Sequence, residues 1–104
     1  LSTLEKIIIV NIKDIICCKS DNNYTTFFFN DNKKILVSKT LKYYSDLLKN
    51  EGFIRVHQSH LVNKYCIKEY IKSDGGYLIL KNNFNIPVSM RKRAEVLYIL
   101  SEIQ

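Results

Sequence analysis

Tryptophan is absent from this 104-residue chain, proline occurs once, and the three glycines are Gly52 and the pair Gly75–Gly76. The core must therefore rest on aliphatic residues and on seven tyrosines and five phenylalanines. So few glycines make no glycine-rich phosphate loop, and neither HExxH nor GxSxG occurs. Nothing in the chain assembles a catalytic set, and no enzyme activity or cofactor is expected. No apolar run approaches the ~18–20 residues of a membrane-spanning helix. The longest candidate, Lys6 to Val10, is strand-sized. A secretory signal is also missing and the chain opens on Leu1, so it reads as a fragment of a longer protein. Cysteine is scarce and odd in number. Neighbours Cys17 and Cys18 would point to opposite faces of a strand. A disulfide framework is not expected, and a reducing cytoplasm is.

What is present is ordinary globular usage with a basic balance. Hydrophobic residues are 46% and charged residues 25%, the formal net charge is +6 and the pI is about 9.3. The size is that of one domain, residues 1–104, with one modest core. Charge is uneven. Residues 1–52 carry eight lysines against six acids, whereas residues 53–104 carry five lysines and all three arginines against four acids. An excess of this sign suits a polyanion, although it also serves solubility.

Short β-branched and aromatic runs dominate the first part of the chain. Ile7–Val10, Ile15–Cys18, Tyr24–Phe29 and Ile35–Val37 read as strands, separated by polar turns at Ser20–Asn23 and Asn30–Lys33. The period then becomes helical. Leu41, Tyr44, Leu47 and Leu48 share a face, Thr40 or Ser38 is a candidate N-cap, and Asn50 and Gly52 end the helix. Strands resume at Phe53, at Ile67–Ile71, at Tyr77–Leu80 after the hairpin signal Asp74–Gly75–Gly76, and at Phe84–Val88. Pro87 falls near the end of that last strand, where its missing N–H is tolerated. A C-terminal helix follows Ser89, with Met90, Ala94, Leu97 and Leu100 or Ser101 on one face and Val96 and Ile103 alongside. The expected fold class is mainly β: short antiparallel strands, one short helix and a C-terminal helix.

Three stretches could carry chemistry. Phe53 to Asn63, FIRVHQSHLVN, starts as an alternating strand and breaks into His57, Gln58, Ser59, His60 and Asn63, flanked by Arg55 and Lys64. Such groups read base edges and phosphates, with Asn63 open to a local capping role instead. His57 and His60 are the only histidines and Cys66 the nearest thiol, too few ligands for a structural zinc site. Arg91, Lys92 and Arg93 open the C-terminal helix, where the dipole disfavours cations by ~0.3–1 kcal/mol each unless an anion sits beside them. The Ser20–Asn23 turn offers amides able to pair with adenine, with Lys19 and Tyr24 beside it for phosphates.

These residues resemble a known family. FIRVHQSHLVNKYCIKEY, Phe53 to Tyr70, looks like the central motif of the LytTR DNA-binding domain, and IPVSMRKRAEVL, Ile86 to Leu97, like its closing motif. DIICCKSDNNYTTFF and ILVSKTLKYYSDLL match the first half, so the resemblance covers about Ile7 to Leu100. It implies small stacked antiparallel sheets with short helices, C-terminal to a receiver domain in a response regulator served by a histidine kinase. It implies recognition of promoter direct repeats by loops entering successive major grooves, with a dimer possible on the DNA. Carried over by position, Asn23, Gln58 and Arg91 would contact bases. Arg91 matches the family in type, Gln58 varies an amide, and Asn23 stands where other members carry different polar residues. Lys19, Tyr24, His57, Ser59, His60, Lys64, Lys92 and Arg93 are the candidates for phosphate or supporting contacts. The rival reading is a protein-interaction module anchored by Tyr43, Tyr44 or Tyr98. Phe27–Phe28–Phe29 lacks the surroundings of an RNA-stacking motif, and these three residues read as core.

Overall fold

The computed structural model describes residues 1–103. Eight strands run β1 Ile15–Asp21, β2 Tyr24–Phe29, β3 Lys34–Val37, β4 Phe53–His57, β5 His60–Asn63, β6 Ile67–Ile71, β7 Tyr77–Leu80 and β8 Asn85–Pro87. Helix α1, Leu41–Leu48, lies between β3 and β4, and α2, Arg93–Ile103, closes the chain. All strand pairs are antiparallel. They build a five-stranded sheet of order β3-β2-β1-β5-β4 and a three-stranded sheet of order β6-β7-β8.

The five-stranded sheet is the middle layer. Alternation along its strands sends Cys18, Phe27 and Leu61 to one face, against α1 through Leu41, Tyr44 and Leu48. Cys17, Ile54, Val56 and Val62 go to the other, against Leu78, Leu80 and Ile86 of the small sheet and Val96 of α2. The adjacent cysteines thus face opposite cores as their spacing required. All three thiols are free and buried. Burial pushes the Cys17 thiol up to about 12, with Cys66 nearby adding to the shift, so these are packing residues rather than nucleophiles. Thr40 caps α1, its hydroxyl accepting from the Tyr43 N–H at 3.3 Å, and Gly52 takes φ +88° after the helix. Pro87 lies on the edge strand β8, where no ladder donor is missed.

Three expectations need correction. Ile7–Val10 forms no strand; Ile7 only bridges to Ser2, and Ile7 and Ile9 are 75% and 91% exposed. The run has the propensity but no neighbouring strand to pair with, and β preference acts through such neighbours. Leu47 faces solvent. The C-terminal helix begins later than Ser89 suggested: Met90–Lys92 is a separate 3-10 turn, so of the three basic residues only Arg93 lies in α2. A 3-10 turn advances by three residues, which shifts the helical phase. The inward face is Val96 with Ile99 and Leu100, while Met90 and Leu97 are exposed.

Candidate nucleic-acid interface

The strand register gathers the candidate residues at one end of the large sheet. Lys19 pairs with His60, Asp21 with Tyr24 and His57 with His60, so the β1–β2 and β4–β5 turns leave the same edge. The Ser20 N–H donates to Ser59 O at 3.0 Å and ties the two turns together. The Ser89 N–H donates to Val56 O at 2.9 Å and brings the Met90–Lys92 turn alongside. Asn23, Gln58 and Arg91 are all exposed there. Gln58 and Arg91 line one cleft of about 360 Å³ together with His57, Lys92, Arg55 and, from α1, Lys42, Ser45 and Asp46. Asn23 shares the end of the sheet but not that cleft.

The sequence FIRVHQSHLVN divides along its length. Phe53, Ile54, Val56, Leu61 and Val62 are core. Asn63 is buried; its amide donates to Ile15 O at 2.9 Å and its carbonyl accepts from the Tyr65 N–H at 3.1 Å. It is the cap of the following 3-10 turn, Lys64–Cys66. His57 Nδ1 accepts from the Ser59 N–H at 3.1 Å, so the neutral ring carries its proton on Nε2.

The supporting candidates do not act alike. Lys92 reaches Glu95 at 3.7 Å, a partly exposed pair of small value. Arg93 turns back instead: its guanidinium donates to Gly75 O of the β6–β7 hairpin. Tyr24 is partly exposed beside Leu36. Lys19 and His60 line a second cleft, between β1, β5 and the Asn83–Ile86 segment. Lys64 follows β5 at the far end of the sheet, where its N–H donates to Gly52 O at 2.9 Å, and the fold does not bring it to Gln58. Lys42, Ser45 and Asp46 carry no signal in the sequence, because their helix joins the cleft only through tertiary packing. Arg55 carries one, a charged residue in an apolar strand next to a turn.

Electrostatics on this end are dominated by unlike burial of like charges. Burial lowers the Arg55 pKa, the Arg91 guanidinium nearby lowers it further, and Asp46 opposes both. Burial, then His57, then Lys19, depress the His60 imidazole to about 4, and its Nδ1 is buried without a partner. A histidine depressed in the folded state binds its proton more readily unfolded. Its contribution to stability is intact above the unfolded value of ~6.5 and is lost as pH falls towards 4. Denaturant midpoints at pH 7.5 and pH 4.5 are therefore expected to differ less in His60→Gln than in the parent; an equal difference would remove His60 from the acid response.

Tight turns and a cluster of cations meet at one end of a layered β-sheet, a surface suited to a polyanion. Residues 5–101 match the LytTr DNA-binding domain family, and the chain belongs to it. It is 36% identical over 103 residues to the sensory transduction protein LytT of Bacillus subtilis, covering 96% of this chain and 42% of that protein. It is 26% identical over 101 residues to the heme-containing CO-sensing transcriptional regulator RcoM 2 of Paraburkholderia xenovorans, covering 94% of this chain and 38% of that one. The chain thus spans about two fifths of the length of these relatives. Its fold matches a LytTr DNA-binding domain from Bacillus cereus, of a protein described as a methyl-accepting/DNA response regulator. The TM-score is 0.81 at 22% identity, over 96% of this chain and 93% of that one. Among the described residues, no helix is long and apolar enough to cross a membrane.

Proposed function

We propose that this chain is the sequence-reading output domain of a longer cytoplasmic transcriptional regulator, one domain over residues 1–104, placing its turns in successive major grooves of promoter DNA. The observation that carries the reading is the convergence of the β1–β2 turn, the β4–β5 turn and the Met90–Lys92 turn on one end of the sheet. Asn23, Gln58 and Arg91 read base edges; Lys19, Tyr24, His57, Ser59, His60 and Lys92 position the backbone or support the readers, and Arg93 does so by holding the neighbouring hairpin. Direct repeats would be met by two copies side by side.

The sensory-transduction description of LytT favours a two-component setting, with a receiver domain and a histidine kinase upstream. The RcoM proteins show that relatives of this domain also serve a different input. For a protein-interaction role the support is divided: Tyr44 is buried in the core, whereas Tyr43 and Tyr98 are exposed.

Selection of bound sites from random duplex DNA tests the reading. Enrichment of a spaced direct repeat is expected, and a pool no different from input would defeat it. On the selected site, Lys92→Ala should weaken cognate and random DNA alike and reduce the salt slope by about one unit. An unchanged slope would take Lys92 off the phosphate backbone.

A further inference from the structure

The β4–β5 hairpin is held differently from the others. Asn22 at φ +58° turns β1 into β2, Asn32 at +68° turns β2 into β3, and Asn83 at +67° turns β7 into β8. Asp74, Gly75 and Gly76 are all left-handed between β6 and β7. Such residues let a short turn follow the right-handed twist of its strands. Gln58 and Ser59, the two residues joining β4 to β5, are not left-handed. A two-residue turn without one tends to splay its strands.

Side chains take over here. The register skips between Arg55 and His57, leaving Val56 as an inserted residue that bends β4. Arg55 reaches past this irregularity: Nε donates to His57 O at 3.0 Å and Nη2 donates to Gln58 O. One planar fork thus holds two consecutive carbonyls of the turn. The partly buried guanidinium also lies close to Arg91, and both line the cleft with Gln58.

We propose that Arg55 is the positioning residue of Gln58: its guanidinium fixes the β4–β5 turn, and with it the place of the Gln58 amide, without contacting base or phosphate. The proposal rests on the reading of Gln58 as a base reader. Lysine cannot replace the fork, because an ammonium is a point charge on a flexible stem.

Two measurements on Arg55→Met and Arg55→Lys test it. In the DNA-free protein, amide hydrogen exchange at Gln58 and Ser59 should accelerate in both variants; unchanged exchange overturns the proposal whatever DNA does. On DNA, Gln58→Ala first identifies the base pair that Gln58 reads. Arg55→Met should lose discrimination at that base pair by on the order of tenfold. It should keep the Arg91-dependent preference and the parent salt slope, and the double variant with Gln58→Ala should discriminate no worse than either single one. A uniform loss on all DNA, with the slope lower by about one unit, makes Arg55 a phosphate contact and overturns the proposal. If Gln58→Ala changes no base preference, the reading of Gln58 fails, and the exchange rates alone decide whether Arg55 braces the turn.

Discussion

Arg91→Ala is expected to weaken binding to the selected site by about 1–3 kcal/mol, with most of the loss falling on one base pair. The physical case lies in how little holds the side chain back. Arg91 is exposed, and among the described residues it has neither an ion pair nor a side-chain hydrogen bond. Its backbone, by contrast, is fixed, since the Ser89 N–H is bonded to Val56 O and the Lys92 N–H to Ser89 O, each at 2.9 Å. A guanidinium on a fixed turn loses little backbone freedom on binding and gives up no internal contact. The paired acceptors of guanine in the major groove match its fork and would relieve the unfavourable proximity of Arg55. Arg91→Lys should keep most affinity for random DNA yet lose the base preference, because the charge remains and the fork does not. Titrations against the selected duplex, its single-substitution variants and random DNA at several salt concentrations separate these effects. Equal losses on selected and random duplexes for Arg91→Ala would exclude base reading by this residue.

Much of this arrangement was legible in the residues. The alternating strand from Phe53 and the polar break at His57–Ser59 were legible; that the chain returns at once as a strand, β5, over His60–Asn63 was not. Thr40 and the Asp74–Gly75–Gly76 turn were readable because capping and left-handed backbone are local chemistry. Three features were not local. The insertion of β5 between β1 and β4 depends on the chain returning through α1, which no window of sequence contains. The phase of α2 is set by the preceding 3-10 turn, a change of pitch that a single helical period cannot register. Lys64 looked adjacent to Gln58, but four extended residues of β5 separate their ends by roughly 13 Å at ~3.3 Å per residue. Arg55 was invisible as a brace because its partners are backbone carbonyls, whose direction only the folded turn defines.

Asn63→Ala is expected to cost about 2–4 kcal/mol of stability and to leave base preference unchanged. The Asn63 side chain is buried and uses both ends of its amide, joining the start of β1 to the turn after β5. Truncation removes the buried donor to Ile15 O and uncaps the partly buried Tyr65 N–H. The Cys66 thiol also approaches Ile15 O, at 3.9 Å, but a thiol is a weak donor and cannot restore the amide bond. The loss is a large share of the ~5–15 kcal/mol that holds a domain of this size together. It should lower the melting temperature by on the order of 10–20 °C. Asn63 pairs with Phe53 at the end of the β4–β5 ladder opposite Gln58, so the loss should not pass into recognition while the domain remains folded. Thermal unfolding together with binding to the selected and altered duplexes, below the unfolding range, checks both halves. A variant as stable as the parent but altered in base preference would return Asn63 to the DNA interface and dissolve the division of the stretch into a reading tip and a structural base.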